Sequence, residues 1–286
     1  MPGSASPWRA SALAPAAVGL AVLVALVEIR MDGPWANGVL LLVAAVPALL
    51  LLGQGLTAAL DDPTERAAAT VLLVAGLVLA AVAIARLAQV LAGDDIGDAG
   101  GTLTWTLALF TAIAAFCHRR SGAVACLLIA SLAAVGLLLA AVNWIFGTED
   151  VDVYRALLTF SFVVLFAAGL VVPGRAGTVL VGAAGVTVLG SSYATGLFFA
   201  FFPGGGGLGW GWELVTLLQG AALLAYAVQR LEPGPAYLAF FVLVIFATTA
   251  AGADDGSPSL VGWPLALAIL TALAGAAGTR AALRAT

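Results

Sequence analysis

Residues 83–95 read A-I-A-R-L-A-Q-V-L-A-G-D-D, and the fold turns on what surrounds Arg86. It is the one basic residue with a long apolar run before it, whereas the other charges sit near the ends of apolar segments. The run that carries it, 66–91, is long enough to cross a bilayer, for which about 20 apolar residues suffice. Working outward in both directions finds more of the same. Segments of comparable length fall at 11–30, 37–59, 102–117, 121–146, 153–172, 176–201, 212–230, 235–252 and 262–280, which makes ten with the Arg86 segment.

Composition agrees with the segment count. The chain is 286 residues long, 63% hydrophobic and only 9% charged. A soluble domain carries about 25% charged residues and has too little interior to hide that much apolar surface. A bilayer removes the need to hide it, so the expected class is an all-α polytopic membrane protein forming a single integral membrane domain, 1–286. The first segment ends Val27-Glu28-Ile29-Arg30, without a small-x-small cleavage pattern, and is expected to stay as an uncleaved helix. Lysine is absent and alanine abundant, which points to a GC-rich bacterial genome.

The total charge of -4 says little, but its placement says much. Arg66, His118-Arg119-Arg120, Arg175 and Arg230 fall in alternate connections, and Arg9, Arg280 and Arg284 join the same side. The opposite side collects Asp94, Asp95, Asp98, Glu149, Asp150, Asp152, Asp254 and Asp255, with only Arg30 and Arg155 as basic members. The positive-inside rule then predicts both termini in the cytoplasm of a multi-pass protein of the cell membrane. Asp61, Asp62 and Glu65 run against the pattern, since they share an inner connection with Arg66. Trp35, Trp105, Trp144, Trp210, Trp212 and Trp263 fall at predicted outer ends, where an interfacial aromatic belt accounts for them. Short inner connections predict that segments four and five, six and seven, and eight and nine pack as antiparallel hairpins.

An odd number of crossings per half would invert one half against the other. Halves 1–150 and 151–286 would each hold five segments, the arrangement of inverted-repeat transporters. A shift of 144 residues lays Ala83-Ile84-Ala85-Arg86-Leu87 over Ala227-Val228-Gln229-Arg230-Leu231, with Ala, Arg and Leu matching. In helix count and length the chain resembles the drug/metabolite transporter superfamily. That resemblance implies ten helices and transport of a small solute.

Candidate functional residues are the polar ones at membrane depth. Arg86 lies eight residues before Asp94, roughly 12 Å inside the outer boundary at 1.5 Å rise per residue. A cation there calls for a partner or must snorkel to the headgroups and the Asp94-Asp95 loop. Glu28 is the candidate partner, with Gln89 on the same face of the Arg86 helix and Asn143 at a similar level on the fifth segment. On the seventh segment Ser191, Ser192, Tyr193 and Thr195 lie in the outer half. Ala183, Thr187, Ser191 and Thr195 form a small-and-polar stripe that either packs closely on another helix or lines a cavity together with Gln219. Pro47 is expected to kink the second helix.

Other features carry no site. Pro203-Gly204-Gly205-Gly206-Gly207-Leu208-Gly209 lacks the Lys and Ser or Thr of a phosphate loop. His118 is the only histidine, and Cys117 and Cys126 read as small packing residues, so no metal or cofactor site is expected. No nucleophile-base-acid set is present, and the expectation is a non-enzyme. The leading functional expectation is a small-solute permease; the other is a membrane scaffold or the membrane subunit of a sensor or assembly. Expected partners are the lipid bilayer and a small-molecule substrate, with no nucleic acid, and a protein partner or second copy is left open.

Overall fold

A computed structural model describes residues 10–58, 63–92, 100–148, 150–194 and 210–251. Within them the chain is helical: α1 (Ala10–Met31), α2 (Asn37–Thr57), α3 (Pro63–Ala92), α4 (Gly100–Ser121), α5 (Val124–Phe146), α6 (Val151–Val171), α7 (Arg175–Ala194), α8 (Trp210–Arg230) and α9 (Pro233–Ala251). No strand occurs among the described residues, and the one isolated bridge joins Asp32 to Trp35. Seven of these helices are long and apolar enough to cross a membrane, and α7 and α9 contribute shorter apolar stretches, Arg175–Ser191 and Pro233–Ala247. The architecture is that of a polytopic membrane protein. The tenth segment, 262–280, lies outside the described residues, as do Asp61, Asp62, Asp94, Asp95, Asp98, Glu149, the glycine-rich stretch 203–209, and Asp254 and Asp255.

Helix limits follow the apolar segments to within a few residues, and the departures have a backbone cause. The fourth helix continues through His118, Arg119 and Arg120 to Ser121, four residues beyond the expected limit of 102–117. Hydropathy stops at the arginines, but a helix stops where its backbone changes hand. Gly122 adopts φ +68° and returns its N–H to the His118 carbonyl at 2.7 Å, a left-handed cap that glycine enters without steric cost. The His118 ring nitrogen Nδ1 lies 3.0 Å from the Ala123 carbonyl oxygen, across the same connection.

The chain forms two compact units, Met1–Gly147 and Thr148–Thr286. In the first, α3 touches each of the other four helices. It is apolar on all sides, the pattern of a helix with no face to spare for solvent, and Leu72, Leu73, Leu77, Leu79 and Ala88 are buried in it. The α2–α3 pair is held by two reciprocal insertions. A β-carbon on Gly76 would stand 2.8 Å from Leu52 Cγ, and one on Gly55 the same distance from Leu73 Cγ, so each glycine admits the other helix's leucine. Helices α4 and α5 form a second hairpin, with the Trp144 ring laid over Gly100 and Gly101.

Helix α1 is attached differently. Its buried residues are only Ala10, Ala17, Val24 and Glu28, a thin line spaced by whole turns against α3. Polar contacts hold its two ends. Near the start, the Glu65 carboxylate of α3 accepts from the Ser11 hydroxyl at 2.5 Å and from the Ser11 backbone N–H at 3.4 Å. Glu65 is thus placed at the N-termini of α1 and of its own helix, where a negative charge is favoured. This gives Glu65, one of the three acidic residues that run against the expected charge pattern, a local reason.

In the second unit, hairpins α6–α7 and α8–α9 form, and α7 packs on α9. Small residues again set the distance: Gly169 faces Gly177 and Val181 in the first hairpin, and Gly220 faces Val242 and Leu243 in the second. Phe162, Val181, Ala184, Val188, Leu223, Tyr226, Ala239 and Val242 make the core. Asp150 caps α6, accepting the Asp152 N–H at 2.9 Å.

Candidate functional site

The site grows from Arg86, in the last third of α3. Its Nε donates to Glu28 Oε2 of α1 at 2.6 Å, the far end of the same helix that Glu65 caps. Nη1 approaches three oxygens: Asp32 Oδ1 at 2.9 Å, Asn37 Oδ1 at 3.1 Å and Gln89 Oε1 at 2.8 Å. Each neighbour arrives by a simple local route. Gln89 stands one turn further along α3. Asp32 sits in the tight turn after α1, where Gly33 takes φ +88° and Trp35 N–H bonds back to the Met31 carbonyl at 3.1 Å. Asn37 opens α2. One guanidinium therefore gathers the end of α1, the following turn, the start of α2 and its own helix.

Burial makes this arrangement consequential. Arg86 is 9% exposed and Glu28 6%, whereas the Asp32 side chain is 64% exposed. Taking a charge out of water costs several kcal/mol, and a pair recovers that only with good geometry and with its remaining polar atoms bonded. Two features fall short of that condition. Glu28 Oε1 is buried with no hydrogen-bond partner among the described residues. Nη1 carries two hydrogens and meets three acceptors, so that one nitrogen is shared among more oxygens than it has protons.

Of the residues expected from the sequence, Glu28, Arg86 and Gln89 come together. Asn143 does not join them: it lies exposed on α5, because depth along a helix does not determine the face a residue occupies. Asp32 and Asn37 were not among the expected residues. Both stand at segment ends, where a polar residue looks like an ordinary boundary; their closeness in sequence to Glu28 was the available signal.

The second unit has polar residues of its own. Thr187 of α7 is buried and its hydroxyl donates to the Ala184 carbonyl at 2.7 Å, while Ala183 is fully buried and Ser191 partly so. The side chains of Ser192 and Tyr193, and all of Thr195, lie outside the described residues. On α8, Gln219 is buried in line with Thr216 and Glu213 at three-residue intervals, and Glu213 is fully buried. Sequence reading missed Glu213 because Trp212-Glu213 opens the segment and resembles an interfacial end. Neither unit brings three metal-binding side chains together among the described residues. No protein-family model, curated protein or solved structure matches the chain.

Proposed function

We propose that the protein is a small-solute permease of a bacterial cytoplasmic membrane, crossing ten times with both termini inside. The arginine asymmetry between alternate connections supports the topology. One observation carries the transport reading: Glu28 Oε1, a buried carboxylate oxygen without a hydrogen-bond partner among the described residues, beside the Arg86 guanidinium. A cluster serving only to bolt three helices together is expected to satisfy its oxygens. A solute bearing a hydrogen-bond donor would complete this one, and intramembrane ionisable groups characteristically mark solute and ion pathways. The reading carries no catalytic step, for the sequence holds no nucleophile-base-acid set.

A solute can reach Arg86 only where water can. In a Cys117→Ala, Cys126→Ala background, Gln89→Cys should react with a membrane-impermeant maleimide added outside intact cells. The denatured variant labels fully as a control. If the intact protein stays unlabelled, the cluster is sealed and the permease reading fails there, in favour of a scaffold or the membrane subunit of an assembly.

A further inference from the structure

The second feature of the first unit is a groove. Helices α1 and α2 are neighbours in sequence yet pack loosely, and between them runs an open furrow of about 470 Å³. Its walls are Leu20, Leu23, Val24 and Val27 of α1 facing Leu42, Val46, Pro47 and Leu50 of α2, with Val43 beneath, and almost no polar surface is present. Leu23, Leu42, Val46 and Leu50 are each more than half exposed. A furrow so lined admits alkyl chain and nothing that needs hydrogen bonds.

One helical turn beyond the last α1 residue lining it comes Arg30. It follows Val27 by three residues and Leu23 by seven, so it continues the furrow's α1 wall into the last helical turn. Arg30 is exposed and makes no ion pair or hydrogen bond among the described residues. The two carboxylates nearest in sequence, Glu28 and Asp32, are both engaged by Arg86. Arg86 thereby leaves Arg30 an uncompensated cation at the mouth of an apolar channel. Trp35, 41% exposed in the adjoining turn, is the kind of side chain found at headgroup level.

We propose that this furrow is a binding site for one anionic phospholipid of the surrounding bilayer, its acyl chain between α1 and α2 and its phosphate on Arg30. The complementarity is twofold: an alkyl-shaped apolar wall, and a guanidinium whose fork fits phosphate oxygens. The proposal needs only membrane insertion and is independent of the transport reading.

Native mass spectrometry of the full chain, released from detergent after gentle delipidation, tests it with phosphatidylglycerol and phosphatidylcholine as probes. The wild type should retain one phosphatidylglycerol in preference to phosphatidylcholine. Arg30→Gln should lose that preference, with phosphatidylglycerol affinity falling about fivefold, the factor equivalent to about 1 kcal/mol per basic residue at an anionic surface. Leu23→Trp and Val46→Phe, which fill the furrow from its exposed walls without entering the core, should each abolish retention of both lipids. Undiminished phosphatidylglycerol binding by Arg30→Gln, or by both filled variants, overturns the proposal. So does a dimer that the filled variants dissociate, which would seat a second copy there, or displacement of the retained phosphatidylglycerol by inorganic phosphate alone, which would show that the furrow is not used.

Discussion

At the scale of single residues the decisive fact is that Arg86 and Glu28 depend on each other. Losing either leaves a poorly hydrated charge in the apolar part of the protein, a worse state than losing both. A stability cycle with Glu28→Gln, Arg86→Gln and the double variant, measured by thermal unfolding in detergent, should therefore be non-additive by about 0.5 to 3 kcal/mol, with each single variant hurt more than the double predicts. Additive losses would reduce the 2.6 Å contact to one without energetic weight. This pair was legible from sequence because charges at that depth are scarce, so an arginine there has few places to turn. Asp32, Asn37 and Glu213 were not legible, since each lies at a helix end where polarity is commonplace. Only the fold shows that Asp32 and Asn37 reach Arg86 and that Glu213 is buried.

Among elements, α1 is the most weakly embedded helix of its unit, and the loss of one of its two end contacts should be measurable. Glu65→Gln keeps the shape but removes the charge facing Ser11 and the two helix N-termini. Hydrogen bonds to charged groups are worth about 1.5 to 3 kcal/mol, so a loss of about 1 to 2 kcal/mol is expected once the amide's residual bonding is allowed for. Limited proteolysis near Ser11 should accelerate in the same variant. If stability and cleavage both stay at wild-type values, the contact holds nothing. Helix existence and extent were readable because bilayer-length apolar runs leave the backbone few alternatives. The facing of helices was less so: Gly55 and Gly76 look like any glycines in a glycine-rich chain until their spacing from Leu73 and Leu52 is seen across the hairpin.

For the whole molecule, orientation is the property to test first. Reporters fused after Arg120, Arg175 or Arg230 should signal cytoplasm, and one placed in the Asp94 to Gly101 connection should signal the outside. Opposite signals at any two sites would sink the ten-crossing topology. The division at Gly147 and Thr148 falls close to the chain midpoint. The helix pairing in each unit follows from connection length: a link as short as Gly122-Ala123 leaves α4 and α5 no choice of neighbour. Helix α1 is the exception: only residues 32–36 join it to α2, yet it packs mainly on α3, a choice written in side chains, in Ser11, Glu28 and the small residues between them.

That choice has a consequence in time. Arg86 follows Glu28 by 58 residues, so a ribosome adding about 5 to 20 residues per second delivers the partner roughly 3 to 12 seconds after the carboxylate. For that interval the first helix sits beside the insertion machinery with an unanswered charge and only a thin line of small residues to hold it. Arrested nascent chains of increasing length, each ending in a force-sensitive stalling peptide, should show a pulling event as Arg86 enters the membrane. In Glu28→Gln that event should be diminished.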